Sequence, residues 1–366
     1  MRQFVALLAA VLLAPTTAAL AEPDDDWQKT WNRTLAGARK EGKVVIVGSP
    51  DPVMRHEIIP AFQKRHGIKV HYIAGGSGEL VSRIRVERST GLYSVDVFMA
   101  GNETTVNVLY PEKMIDPVKP LLILPEVVDG SKWKLGKLSF VDPEQQYIVR
   151  LFSTVTGAIF VNLDYVKPEE LRSTKDLLHP RWKGKISTED PTVSGSGSHG
   201  AGRFYADIGP DFVKRLYIDQ APLISRDRRL LSDALARGTH PICLTCRSDD
   251  VAELQKTGFK LAEIFELEGM PSRVRPGPFL LTLANKAPNP NAAQVFLNWM
   301  AGKEALEIYS HRYHQASLRT DVDESHLDPH LVPKADKTYP DDGDFNWITV
   351  GRRENTEKAR ALLKAR

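Results

Sequence analysis

Cysteine is almost missing: Cys243 and Cys246 are the only two in 366 residues, so no disulfide framework holds this fold together. Charge of one sign is not in excess either. The chain carries 49 Lys+Arg against 46 Asp+Glu, and a net +3 spread so evenly does not argue for a nucleic-acid partner. Past the N-terminus no apolar run approaches the roughly 18 residues that would span a bilayer. No internal repeat or low-complexity block is present, which sets aside solenoids and collagen-like chains. What is there is 42% hydrophobic, enough to exclude disorder. At roughly 100–200 residues per domain the length suggests about two domains.

Residues 1–21 have the plan of a cleavable signal peptide. Arg2 supplies the positive start, Val5 to Ala14 is apolar, and Ala19-Leu20-Ala21 is a small-x-small cleavage site. An apolar run of about ten residues is half of what crosses a membrane. The reading is an exported protein, most simply periplasmic. In such an oxidising compartment, Cys243-Leu244-Thr245-Cys246 reads by default as a local disulfide, and as half a zinc site at best. Whether the pair is oxidised stays open at this point.

The mature chain alternates helix and strand. Trp27, Trp31, Leu35 and Ala38 recur at helical spacing up to Gly42, and Val44–Val47 is an apolar strand of the doubly buried kind. A helix over Pro52–Arg65, kinked or delayed by Pro60, leads to a strand at Lys69–Ile73. After Gly75-Gly76-Ser77-Gly78 come a helix to Thr90 and a strand at Val95–Met99. This is a right-handed α/β unit. A second one starts with a strand over Val155–Val161, and a third stretch past Pro276 returns with a strand at Phe279–Leu283. The segment 321–345, rich in Pro, Asp and His, wraps a surface ahead of a basic helix near Arg353–Lys364.

Several stretches, in this order, carry a resemblance. They are Gly42-Lys43-Val44-Val45-Ile46, Phe62-Gln63-Lys64-Arg65-His66-Gly67-Ile68-Lys69-Val70, and Gly76-Ser77-Gly78-Glu79-Leu80 with Arg83-Ile84. Val95-Asp96-Val97-Phe98, His179-Pro180-Arg181-Trp182-Lys183-Gly184-Lys185-Ile186 and Ala287-Pro288-Asn289-Pro290-Asn291-Ala292-Ala293 follow. Together they resemble the extracellular solute-binding proteins of ABC importers, in the branch that includes ferric-iron binders. The resemblance implies an α/β, type 2 periplasmic-binding-protein fold: two α/β lobes joined by crossing strands, with a ligand cleft between them. It implies the boundaries 1–21 signal peptide, 22–153 first lobe, 154–277 second lobe, and 278–366 return to the first lobe plus tail. It also implies a partnership with membrane permease subunits.

Loops at the C-terminal edges of both sheets meet across such a cleft. In the first lobe these are Ser49 and Asp51, then Ser77 and Gly78 at a helix start, then Asn102 and Glu103. A helix N-terminus favours an anionic group, and glycine lets it approach; the alternative is that Ser77 and Glu79 merely cap. In the second lobe Ser194, Ser196, Ser198 and His199 form the densest run of small donors. Its GxGxxG match through Gly195, Gly197 and Gly200 does not follow a strand directly, so a dinucleotide site is not the reading. Arg226 and Arg150 are basic candidates near the cleft, each with a structural ion pair as its alternative, and Thr245 offers a hydroxyl.

The chain departs from the ferric binders where they carry adjacent tyrosines, for here Ile242-Cys243-Leu244-Thr245-Cys246 has none. Thr245 and Cys246 would face the cleft instead. His311 and His314 could hold metal only by sharing a helix face, and a surface role is the expectation. The reading is therefore a monomeric receptor without cofactor or resident metal, not an enzyme, for a small anionic organic solute: a carboxylate, phosphonate or phosphate ester. Ferric iron is the alternative. A secreted hydrolase finds no GxSxG, HExxH or SxxK to support it, and a receptor presenting its solute to a sensor kinase would share the same cleft.

Overall fold

The computed structural model describes residues 26–365 apart from 158 and 194, so the expected signal peptide lies outside the described residues. In the first lobe, strands Lys43–Gly48 (β1), Lys69–Ala74 (β2) and Val97–Ala100 (β3) are parallel. Short strands Ile115–Asp116 (β4), Ser139–Phe140 (β5) and Val149–Arg150 (β6) follow. The crossing strand Thr154–Thr156 (β7) leads to the second lobe. That lobe is built on Ile159–Asn162 (β8), Ile186–Glu189 (β9), Leu223–Ser225 (β10), Ile242–Cys243 (β11) and Leu261–Ile264 (β12). Arg273–Arg275 (β13) pairs antiparallel with β7 as the return crossing, and Leu280–Ala284 (β14) re-enters the first sheet. The sheet orders are β2-β1-β3-β14-β6-β5 and β10-β9-β11-β8-β12.

The apolar run of β1 is buried on both faces, as read. Val44 and Ile46 enter a core with Phe62, Phe296 and Trp299, while Val47 packs on the other face with Leu80, Ile84 and Phe98. Pro60 delays its α-helix. The turn Met54–Ile58 widens so that Ile59 N–H bonds Met54 O, and the helix Ile59–His66 starts there, with Pro60 in its first turn where no donor is required. The single strand expected over Val155–Val161 is two strands in different sheets, broken at Gly157. A Cβ there would lie 2.6 Å from Ile264 O, so only glycine lets the chain pass between lobes at this point.

The C-terminal segment crosses between the lobes once more. Phe345 and Ile348 pack into the first lobe, whereas Ala359 and Leu363 of helix Arg352–Lys364 belong to the core of the second. That helix lies against helix Ser196–Asp207, close enough that Gly202 would place a Cβ 2.8 Å from Thr356 Cα. No helix among the described residues is long and apolar enough to cross a membrane.

Candidate functional site

Because β1, β2 and β3 are parallel, Ser49, the Gly75-Gly76 turn and Gly101 leave one edge of the first sheet. Helix Ser77–Ser89 begins there with Gly76 in the cap position and no side chain closing its N–H groups. The capping role open to Ser77 and Glu79 is therefore not the one observed. A Cβ built on Gly76, Gly78 or Gly101 meets open space. Between Ser49 and Ser77 a cavity of about 20 Å³ opens beneath the rim, room for a water but not a solute.

Asp51 does not point a free carboxylate into the cleft. It accepts from Met54 N–H (3.0 Å), the Tyr309 hydroxyl (2.9 Å) and the Tyr313 hydroxyl (2.6 Å), holding the start of one helix to the end of another. Burial first, and then the neighbouring Asp51 carboxylate, push both phenols above the usual tyrosine range. Tyr72 caps Ser49 O. Glu103 is likewise engaged, by Asn107 Nδ2 at 2.7 Å and Arg352 Nη1 at 2.8 Å. Asn102 differs: its Oδ1 is buried with no hydrogen-bond partner.

In the second lobe Ser194 lies outside the described residues. The run after it is not a loop but the first turns of helix Ser196–Asp207. Gly195 adopts φ +148°, and a Cβ on Gly197 would lie 2.5 Å from Glu189 O, so the two glycines seat the helix start directly on the end of β9. Ser198 is buried and donates to Gly195 O at 3.0 Å, which removes it from the candidates. Ser196 and His199 remain, His199 reaching solvent. Crowding by protein atoms lowers the His199 pKa, the Arg352 guanidinium lowers it further, and Glu103 and Asp342 oppose.

Three other candidates have structural partners. Arg226 is exposed and pairs with Asp190 at 3.2 Å, and Thr245 Oγ1 accepts from Glu189 N–H at 2.7 Å. Arg150 is buried at the crossing, donating to Phe152 O (2.9 Å), Ser153 Oγ (3.2 Å) and Asp341. Cys243 and Cys246 are disulfide-bonded, so Cys246 offers no thiol.

The arrangement brings Glu103 of the first lobe and His199 of the second beside Arg352, a residue the sequence reading missed. Asp342 adds to it, pairing with Arg273 Nε at 2.6 Å, and Arg273 stacks over Trp347 at 4.6 Å. No local pattern marks Arg352, because its role depends on a contact 249 residues distant.

Known proteins fit this architecture. A model of bacterial extracellular solute-binding proteins matches residues 43–313. A protein of Haemophilus influenzae without an assigned function is 22% identical over 293 residues, covering 74% of this chain and 76% of its own. Trichodesmium FutA, solved with iron and citrate, superposes with a TM-score of 0.62 at 20% identity, covering 88% of this chain and 99% of its own. Actinobacillus pleuropneumoniae AfuA, solved with fructose-6-phosphate, gives 0.60 at 18%, covering 89% and 100%. The apo ferric ion-binding protein A of Pasteurella haemolytica gives 0.64 at 16%, covering 88% and 97%. These structures share the type 2 periplasmic-binding fold of two lobes about a cleft, and the chain belongs to the bacterial extracellular solute-binding protein family.

Proposed function

We propose that the protein is the periplasmic receptor of an ABC importer and captures a small anionic organic solute between its lobes for delivery to a permease. The ligand class is a carboxylate, phosphonate or phosphate ester. The observation that carries this reading is the balance of groups at the cleft. Most of its carboxylates are already engaged: Asp51 by two phenols, Glu103 by Arg352, Glu189 by Arg228 at 3.1 Å, and Asp190 by Arg226 and Thr192, whereas Glu79 in the first turn of helix Ser77–Ser89 is not. What is left facing an incoming ligand is mostly donors. They are the uncapped N–H groups and hydroxyl at Ser77, the helix start at Ser196, and His199. Donors and a helix dipole stabilise an anion, whereas a bare ferric ion needs hard anionic oxygens. A hydroxyl on the solute would supply the partner that Asn102 Oδ1 lacks. AfuA, solved with a sugar phosphate, supports this reading, and FutA, solved with iron and citrate, keeps ferric iron as the rival.

Thermal melts with a panel of dicarboxylates, phosphonates, sugar phosphates and a ferric salt test it. A solute at a hundred times its Kd stabilises by about 2.7 kcal/mol. One organic class should raise the Tm, and Ser77→Asp should abolish that rise by setting a negative charge at the donor site. Stabilisation by the ferric salt alone would overturn the reading.

A further inference from the structure

A cluster of His311, Asp323 and His326 comes together only in the fold. Helix Lys303–Tyr313 ends at His314, whose φ of +50° turns the chain away, so His311 and His314 do not share a helical face. The segment 319–328 then folds back over that end. Arg319 grips Asp321 at 2.8 and 2.9 Å, and Glu324 accepts from Ser317 N–H (2.7 Å) and Lys134 Nζ (2.6 Å). These anchors set Asp323 and His326 against His311. The His311 and His326 rings lie 3.8 Å apart, and one ligand atom each from His311, Asp323 and His326 fall within 4.8 Å of one another. His326 is half-buried, its Nδ1 sealed from solvent with no partner, and its Nε2 is 3.4 Å from Ser310 Oγ.

We infer that His311, Asp323 and His326 form a binding site for a divalent transition-metal ion of the zinc type, built from residues other than the candidate solute-binding groups. Two imidazoles and one carboxylate are a donor set for Zn²⁺, which takes nitrogen at about 2.0–2.1 Å and carboxylate oxygen at about 2.0–2.2 Å. Mg²⁺ and Ca²⁺ call for six or more oxygens, which this site does not assemble. The rings now lie nearly parallel, 21° apart, so their in-plane lone pairs run side by side and one ring must turn to converge. His311 is the one free to turn, being exposed at a helix end, while His326 is held by the anchored segment. Water, or His314, whose ring is 6.3 Å from that of His326, completes four-coordination. An unpaired buried ring nitrogen gains the partner it lacks.

Chelator-stripped mature protein, titrated with Zn²⁺ alone against a fluorescent indicator, tests the site. One equivalent should bind, with at least tenfold weaker binding in His311→Gln and in His326→Gln, and a smaller loss in Asp323→Asn. His311→Gln changes an exposed side chain, so its metal-free melt should match the parent even if His326→Gln proves unstable. Millimolar Mg²⁺ should not displace the zinc. Absence of zinc uptake at micromolar concentration, or His311→Gln binding like the parent, would overturn the inference.

Discussion

Glu103, at the exit of β3 in the first lobe, accepts a hydrogen bond at 2.8 Å from Arg352 Nη1, at the head of the helix that packs on the second lobe. Arg352 also donates to Asp342 O at 3.3 Å, so one guanidinium ties the rim of the cleft to the C-terminal segment. The pair is partly exposed, and its own worth is about 1 kcal/mol or less. Its larger effect is on the neighbouring imidazole.

Arg352 depresses the His199 pKa and Glu103 raises it. Arg352→Met should therefore shift the His199 titration upward, and Glu103→Gln should shift it downward. An imidazole-detected NMR titration reads both. A midpoint unmoved by either substitution would separate His199 from this pair.

His66 gives a pH dependence of known sign. Burial, and then the Arg65 charge, lower its pKa from 6.5 to about 4, so the folded protein holds it neutral while the unfolded chain protonates it near 6.5. The corresponding stability is fully present above pH 6.5 and is lost as pH falls towards 4, on the order of 2 kcal/mol for a ring with some contact with water. The ring stands 5.0 Å from Phe62. His66→Phe keeps an aromatic there and should flatten the fall in Tm between pH 7 and 4. An equally steep fall in the variant would assign the acid sensitivity elsewhere.

Two glycines separate binding from folding. A Cβ on Gly197 would press on Glu189 O and Asp190 O at 2.5 and 2.6 Å, so Gly197→Ala should cost about 1–3 kcal/mol and displace the helix start at Ser196. A Cβ on Gly78 meets nothing, and alanine favours a helix by up to about 1 kcal/mol. Gly78→Ala should thus hold or raise the Tm, and on the proposed binding mode, in which the solute approaches the backbone there, it should weaken solute binding about tenfold. Calorimetric melts and binding isotherms on both variants check this; unchanged affinity in Gly78→Ala would move the ligand away from this helix.

The α/β alternation was legible because each signal is local. Val44–Val47 is an apolar run between glycines, and Trp27, Trp31 and Leu35 repeat at helical spacing. The crossing at Gly157 was not, since a run of β-branched residues reads the same whether it stays in one sheet or changes sheets. The donor run at 195–200 was visible as composition, but its conformation depends on Gly197 resting against β9. Asp51 and Thr245 follow β1 and β11, yet a sequence does not reveal that Tyr309 and Glu189 already bind them. Arg352 and the His311–His326 pair depend on chain segments meeting from a distance, which no spacing rule encodes.

The proposed function requires that the cleft take an organic anion. Native mass spectrometry of protein purified from an exporting host addresses it directly, with spectra before and after chelation. An excess mass matching a small organic acid or phosphate ester, retained on chelation and lost in Ser77→Asp, is the expected result. An excess matching iron, removed by chelation and with no organic mass beside it, would contradict it.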